Sequence, residues 1–213
     1  MSELAQTSKD RWGNLPVSYD EHNLKISQYH VMADWERPYM ERLAEIATSR
    51  GGTVLEVGYG MGIAASALQA RNVDLHLVIE CHPDVIARCV SAHRTALASG
   101  SMHLLTGYWQ DVTPLLAAAS IDGILFDTFP VSAQEWVGTH MFFFEEAYRL
   151  LKPGGVLTYF SSEPTTLGEP HLERLEQAGF ERGNISFEVC PVQQSEDSKY
   201  WDASSIVAPI VVK

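Results

Sequence analysis

Two acidic residues stand where a carboxylate can do chemistry. In "ILFDTFP" an apolar run delivers Asp127 to the end of a strand, with Pro130 just beyond, so the acid is poorly solvated. In "WERPYM" Glu36 stands at the start of a helix, where a carboxylate also suits the helix dipole. Each has a plainer use: Asp127 as a buried acid holding a loop, Glu36 as a surface acid at a helix end. Together, two carboxylates can grip a guanidinium, whose fork of N–H donors matches them bidentately. Stripping a guanidinium of its proton beforehand is costly. Reference pKa values near ~13.8 for that group and ~3.9 for an aspartate put full transfer at roughly 13 kcal/mol. Chemistry at such a nitrogen therefore has its proton moving to Asp127 as the new bond forms, with alignment as the main contribution of the protein.

A second constellation lies in "VLEVGYGMGIAAS", residues 54–66. Glu56 is near the end of an apolar strand, and Gly58, Gly60 and Gly62 follow it. They let the backbone approach a ligand and then turn into a helix. Their G-x-G-x-G spacing is neither the dinucleotide G-x-G-x-x-G nor a P-loop. The next strand ends in Glu80, where a carboxylate can take both hydroxyls of a ribose. Further on, "TGYWQD" offers Trp109 as a flat wall and Gln110 and Asp111 as polar groups for an adenine edge. The same stretch also reads as a core tryptophan beside a helix cap at Asp111. Acid, glycines and second acid together are similar to the S-adenosylmethionine (SAM) site of class I methyltransferases. A nicotinamide dinucleotide site is the competing reading, and a tight turn with a strand-end acid is the plain one.

The chain pattern supplies a scaffold for these residues. A helical pattern runs from Trp35 to Ser49, with Tyr39, Leu43, Ile46 and Ala47 on one face, and Gly51 and Gly52 end it. Strands at 53–57, 75–80, 102–107, 121–127 and 156–160 then alternate with helices at 62–70, from Pro83 to about Ala98, 142–151 (ending at "KPGG") and 169–179. "ISFEVC" and "SSIVAPIVVK" read as an antiparallel pair. Alternation of this kind predicts a mainly parallel α/β sheet with ligands at its carboxyl edge. Residues 1 to about 30 are polar and turn-rich yet hold Trp12, Tyr19 and Tyr29, which fits a tail or a lid.

With 213 residues, 46% hydrophobic and 20% charged, one domain with a full core is expected. A net charge of −12 argues against nucleic acid as a partner and agrees with a small cationic substrate. No apolar run approaches a membrane span, and "MSELAQTSKDRWG" lacks a signal-peptide core. Cys81, Cys89 and Cys190 are odd in number and form no CxxC, which points to free thiols in a reducing cytoplasm. His30, His76, His93, His103 and His171 share no metal-ligand spacing, so no metal is expected. His140, in "GTHMFFFEE", reads as a helix-start histidine, with a ligand or base role as the alternative.

The chain resembles the guanidinoacetate N-methyltransferase family and the arginine methyltransferases of its branch. The resemblance is carried by "RWGNLPVSYD", "VMADWERPYM", "VLEVGYGMGIA", "VIEC", "GYWQDV", "GILFDTFP" and "RLLKPGGVLTY", in family order from Trp12 to Tyr159. It implies a class I methyltransferase Rossmann-like fold: a mostly parallel seven-stranded sheet, helices on both faces and an antiparallel C-terminal strand. It implies SAM as cofactor and S-adenosyl-L-homocysteine as its product. The family's cofactor contacts fall on Trp12, Met32, Met40, Tyr59, Gly60, Met61, Gly62, Ile63, Ala64, Glu80, Cys81, His82, Trp109, Gln110 and Asp127. Glu56 and Gly58 join them from the loop reading above. Its guanidine-binding acids fall on Glu36 and Asp127, the expected catalytic pair. Residues 1–35 become a lid on a single 1–213 domain, closing over the ligands and excluding water.

One departure bears on the substrate. Where the guanidinoacetate enzymes follow "VLTY" with an Asn-Leu-Thr-Ser loop, this chain reads "FSSEPTTLGEP". Glu163 replaces the threonine that holds a substrate carboxylate, and a stretch that normally follows is missing. Ser162 and Glu163 are thus expected at the far end of a longer substrate bearing an amine. Free L-arginine fits, giving N-omega-methyl-L-arginine. Guanidinoacetate, giving creatine, and other guanidino or amine compounds stay open. A protein-bound arginine fits less well beneath a closing lid. A non-catalytic binding module on the same fold and an NAD oxidoreductase are the alternatives of other classes. A terminal guanidine nitrogen is the more accessible acceptor, the chain nitrogen the alternative. The oligomeric state, monomer or homodimer, is left open.

Overall fold

The computed structural model describes residues 9–71, 73–131, 135, 138–195 and 200–213. Its centre is a sheet built from the apolar runs: β4 (Thr53–Val57), β5 (Leu75–Glu80), β6 (Met102–Thr106), β7 (Ile121–Phe126), β8 (Leu151–Tyr159), β9 (Ile185–Pro191) and β10 (Ser205–Val212). The spatial order is β6-β5-β4-β7-β8-β10-β9. β6, β5, β4, β7 and β8 run parallel, and β10 is antiparallel to both of its neighbours. This is the expected fold class. β4, β5 and β7 are buried along almost their whole length, as strands covered on both faces must be. β7 is the middle strand, so Asp127 emerges at the centre of the carboxyl edge. Its N–H donates to the Val57 carbonyl at 2.9 Å, and the Gly58 N–H donates to Ile79 at 2.9 Å.

Helix α2 (Arg37–Ala47) has Pro38 in its first turn and buries Tyr39, Met40, Leu43, Ala44, Ile46 and Ala47. It lies close on the sheet because Gly123 has no side chain: a Cβ there would strike the Ala47 carbonyl. The Tyr39 hydroxyl fixes α2 to the sheet, lying 3.2 Å from the Tyr159 carbonyl and 3.0 Å from that of Val207. The expected helix from Trp35 begins instead as a 3-10 turn over Asp34–Glu36, which turns Glu36 inward.

Other boundaries shift for local reasons. The helix expected to reach Ala98 breaks at His93 into α4 (Pro83–Ala92) and α5 (Arg94–Ser99). The helix expected at 142–151 is a 3-10 turn, Thr139–Phe142, followed by α7 (Phe144–Leu150). "KPGG" lies inside β8 rather than in a turn before it. The pairing jumps from Ile121↔Leu151 to Gly123↔Val156, so the extra residues form a bulge held by Lys213. The remaining helices are α3 (Ile63–Gln69), α6 (Trp109–Val112) and α8 (Glu169–Gln177).

The N-terminal segment is more ordered than its turn-rich composition implied. After a short helix, α1 (Lys9–Trp12), the strands β1 (Val17–Tyr19), β2 (Asn23–Ile26) and β3 (Tyr29–Ala33) form a separate antiparallel sheet. Leu24, Ile26, Tyr29 and Met32 turn inward and join Trp12 in the main core. No described helix is long and apolar enough to cross a membrane.

Candidate active site

Two adjoining cavities open along the carboxyl edge of the sheet. The first, about 70 Å³, is bounded by Gly58 and Gly60 after β4, Glu80 and Cys81 at the end of β5, Tyr108, Trp109 and Gln110 after β6, and Asp127 after β7. Trp12 and Met32 cover it from the N-terminal segment. Trp12 is buried and stacked on Phe129 at 5.1 Å and 11°. The segment is tied down at several points. Tyr19 donates to the Gly60 carbonyl at 3.2 Å, and the Met61 N–H meets Met32 Sδ at 3.3 Å. Arg88 lies 4.2 Å over the Tyr19 ring. His82 caps α4, its Nδ1 accepting from the Asp84 N–H at 3.2 Å, which leaves Nε2–H to donate to the Leu15 carbonyl at 3.0 Å.

Glu80 is held by three backbone donors: Tyr59 N–H at 3.0 Å, Cys81 N–H at 2.7 Å and His82 N–H at 2.8 Å. Four lone-pair sites on a carboxylate against three donors leave capacity for a ligand hydroxyl. Gln110 Nε2 donates to Glu135 at 3.0 Å, while its Oε1 is buried without a partner and so is available to an amine at the cavity wall. A largely apolar wall with a strand-end carboxylate and an unpaired amide oxygen has the chemistry that the adenosine part of SAM requires.

The glycines serve the fold more directly than the loop reading implied. At Gly58 (φ +93°) a Cβ would strike the Asp127 carbonyl, at Gly62 the Tyr59 hydroxyl, and at Gly60 it would meet Met32 Sδ at 3.0 Å. Neighbouring protein, not ligand, thus fills the space beside all three, although Gly58 and Gly60 still face the cavity.

The second cavity, about 280 Å³, shares Val31, Asp127, Thr128, Phe129 and Glu135 with the first. Its own wall includes His30, Glu36, His140, Phe160, Ser162, Tyr200 and Trp201. Asp127 therefore faces both spaces and Glu36 only the second. Glu36 is 3% exposed, and its Oε1 accepts from the Ala33 N–H at 2.9 Å and from the Tyr200 hydroxyl. Burial, then the nearby Asp127, push the Glu36 carboxyl well above the ordinary range, with Tyr200 and Ala33 pulling the other way. Burial, then Glu56, raise Asp127 in the same direction. Both acids stand ready to ionise when a cation arrives.

The sequence-derived residues do not all reach a cavity. Trp12, Met32, Gly58, Gly60, Glu80, Cys81, Trp109, Gln110 and Asp127 line the first, and Glu36, Asp127 and Ser162 the second. Glu56 is fully buried and turned to His76 Nε2 at 2.9 Å, a pair completed by Gln69 at 3.0 Å. Met40, Tyr59, Met61, Gly62, Ile63, Ala64 and His82 stand behind the wall; Tyr59 packs on His93, and Met40 sits in the core. The Glu163 side chain points to His171, 3.8 Å from its Nδ1, and lies outside the described wall. Phe129, Glu135, Tyr200 and Trp201 were not anticipated. Only "FDTFP" hinted at Phe129, whereas "YW" at 200–201 carries no local signal.

The model of the family described as guanidinoacetate N-methyltransferase matches residues 3–213. The chain is 33% identical over 139 residues to protein arginine N-methyltransferase 2 of Yarrowia lipolytica, covering 62% of this chain and 28% of that protein. It is 30% identical over 161 residues to the protein of the same name from Candida glabrata, covering 71% of this chain and 38% of the relative. It thus spans well under half the length of these relatives. Solved structures share the fold at low identity. A spermidine synthase in complex with the transition-state analogue AdoDATO aligns at TM-score 0.66 and 15% identity, over 93% of this chain and 73% of that one. A SAM-dependent methyltransferase from Archaeoglobus fulgidus aligns at TM-score 0.59 and 14% identity, over 85% and 95%.

Proposed function

We infer the function from one premise: the chain belongs to the guanidinoacetate N-methyltransferase family. The reading is a SAM-dependent N-methyltransferase acting on a guanidino nitrogen. The observation that carries it is Asp127 on the shared wall, with Glu36 behind it in the second cavity only. When bound, SAM supplies an electrophilic methyl carbon on a positively charged sulfur. Glu80, Gln110 and Trp109 hold its nucleoside, and Trp12 with Phe129 keeps water out. Glu36 and Asp127 hold the guanidinium at the junction and aim the reacting nitrogen, whose lone pair becomes available only as its proton leaves. Asp127 then receives the proton that the methylated nitrogen gives up. In the ligand-free protein burial and Glu56 already raise its affinity for protons.

Free L-arginine is the substrate this reading favours. The second cavity presents acids, and no Lys or Arg lies on its described wall, so a bare carboxylate such as guanidinoacetate's lacks a cationic partner there. The α-ammonium of arginine offsets its own carboxylate, and Ser162 and Glu163 lie at the strand end toward which that head would extend. A second reading, arginine within a protein, is favoured by the names of the relatives. The test is mass spectrometry of SAM incubations with L-arginine, guanidinoacetate and an arginine-containing peptide, with fragmentation to locate the methyl. Methylarginine from the free amino acid supports the first reading. Methylated peptide alone replaces it with the second, and no transfer to any of the three overturns the activity.

A further inference from the structure

The second cavity also presents a polar atom that the protein leaves unsatisfied. His140 is 4% exposed and lines this cavity, and its Nε2 has no hydrogen-bond partner. Buried polar atoms in native proteins are nearly always paired, so this one calls for a partner from the cavity. The ring cannot swing to find another. It is stacked on Tyr159 at 5.0 Å and 15° and on His171 at 5.0 Å and 21°. That layer is locked in turn by a 2.6 Å hydrogen bond between the Tyr159 hydroxyl and His171 Nε2, with Phe144 against its flank.

The groups facing His140 from its neighbours are His171 from α8 and Tyr159 from β8, with Glu163 behind His171 and the acids Glu36 and Asp127 on the same cavity. Burial and His171 push His140 down to about 3, so it stays neutral at working pH and keeps a lone pair. A guanidinium brings five N–H donors in one plane. Asp127 can take a parallel pair, but Glu36 Oε1 already accepts from Ala33 and Tyr200 and offers only its Oε2, so the two carboxylates leave at least one N–H over. Where the bound substrate shuts water out of the cavity, an N–H left over needs an acceptor, because a buried unpaired donor is costly. Three atoms on residues of the described wall are without partners, His30 Nδ1, Thr128 Oγ1 and His140 Nε2. Thr128 lines both cavities and its hydroxyl rotates, and His30 is only half-buried, whereas His140 is buried, held by its ring stack and on the wall of the second cavity alone.

We propose that His140 is a substrate-contacting specificity residue whose Nε2 accepts the guanidinium N–H that Glu36 and Asp127 leave over. This rests on the methyltransferase reading above. It requires the tautomer with hydrogen on Nδ1. It also adds selectivity against simple amines, whose three donors do not lie in one plane.

The test is His140→Phe, which keeps a stacked ring and deletes the nitrogen. The KM for L-arginine should rise about tenfold to a hundredfold. Binding of S-adenosyl-L-homocysteine should stay unchanged, and kcat should move less than KM. A second measurement does not depend on the variant folding. Nitrogen-15 spectra of the wild-type histidines, taken with S-adenosyl-L-homocysteine present, should show the His140 Nε2 resonance shifting when L-arginine or methylguanidine is added. An unchanged KM in a folded variant, or an unshifted Nε2 while the guanidino compound binds, overturns the proposal. If the wild type binds neither compound, nor guanidinoacetate, the functional reading itself falls and takes this inference with it.

Discussion

At the first cavity the protein holds its strand-end acid with its own backbone. Glu80 accepts three backbone N–H groups, and the space beside each loop glycine is filled by Asp127, Met32 or Tyr59. At the second cavity it leaves groups wanting. Two buried acids are pushed toward protonation, and His30 Nδ1 and His140 Nε2, on residues that line this cavity and not the first, have no partner. The one site is set largely by the ends of four adjacent strands, whereas the other is assembled from segments distant in the chain. Changes at the first should therefore cost folding as well as binding, and changes at the second should cost activity while sparing the fold.

The largest expected break is Asp127→Asn. It removes the proton acceptor, so turnover should fall by ~10³-fold, read by radiolabelled methyl transfer, with S-adenosyl-L-homocysteine titrations little changed. Glu36→Gln should lower kcat/KM by ~100-fold, mainly through KM, because a charge-assisted pair is lost. On the other side of the comparison, Gly58→Ala meets both a φ of +93° and the Asp127 carbonyl. A loss of at least ~2 kcal/mol is expected by urea unfolding, with activity falling alongside.

Two smaller effects follow from proton affinity. Both acids bind protons more tightly in the folded, ligand-free protein than in the unfolded chain. A guanidinium needs them ionised, so kcat/KM should rise with pH across neutrality and then level off. The same tight proton binding works against stability: absent below the ordinary carboxylate range, the penalty grows as pH rises toward the folded-state values. Ligand-free Asp127→Asn should therefore be the more stable protein at pH 8, by at least ~1 kcal/mol, read as a higher Tm. An inactive variant that is also less stable would break the contrast between the two sites.

The sheet, the loop glycines, Glu80, Glu36 and Asp127 were legible because each lies in a local pattern: an apolar run, a spacing, a strand end. The three N-terminal strands were not, because three to five residues each is too short for period-two alternation to stand out among turn residues. Tyr200 was illegible for another reason. It reaches Glu36 across 164 positions of chain, and no local spacing encodes that meeting. Glu56 misled because a strand-end acid looks the same whether it faces a ligand or, as here, a buried histidine from the next strand.

Asp127 has one more consequence, as the common wall of both spaces. A positive charge entering either cavity draws the same carboxylate toward ionisation, and the ionised group then attracts a positive charge in the other. The two affinities are thereby linked, and linkage is reciprocal: whatever factor one ligand adds to the other's binding, it receives in return. When the reaction removes the charge on one side, that mutual reinforcement lapses, so a single aspartate can both gather the reactants and loosen the hold on what they become.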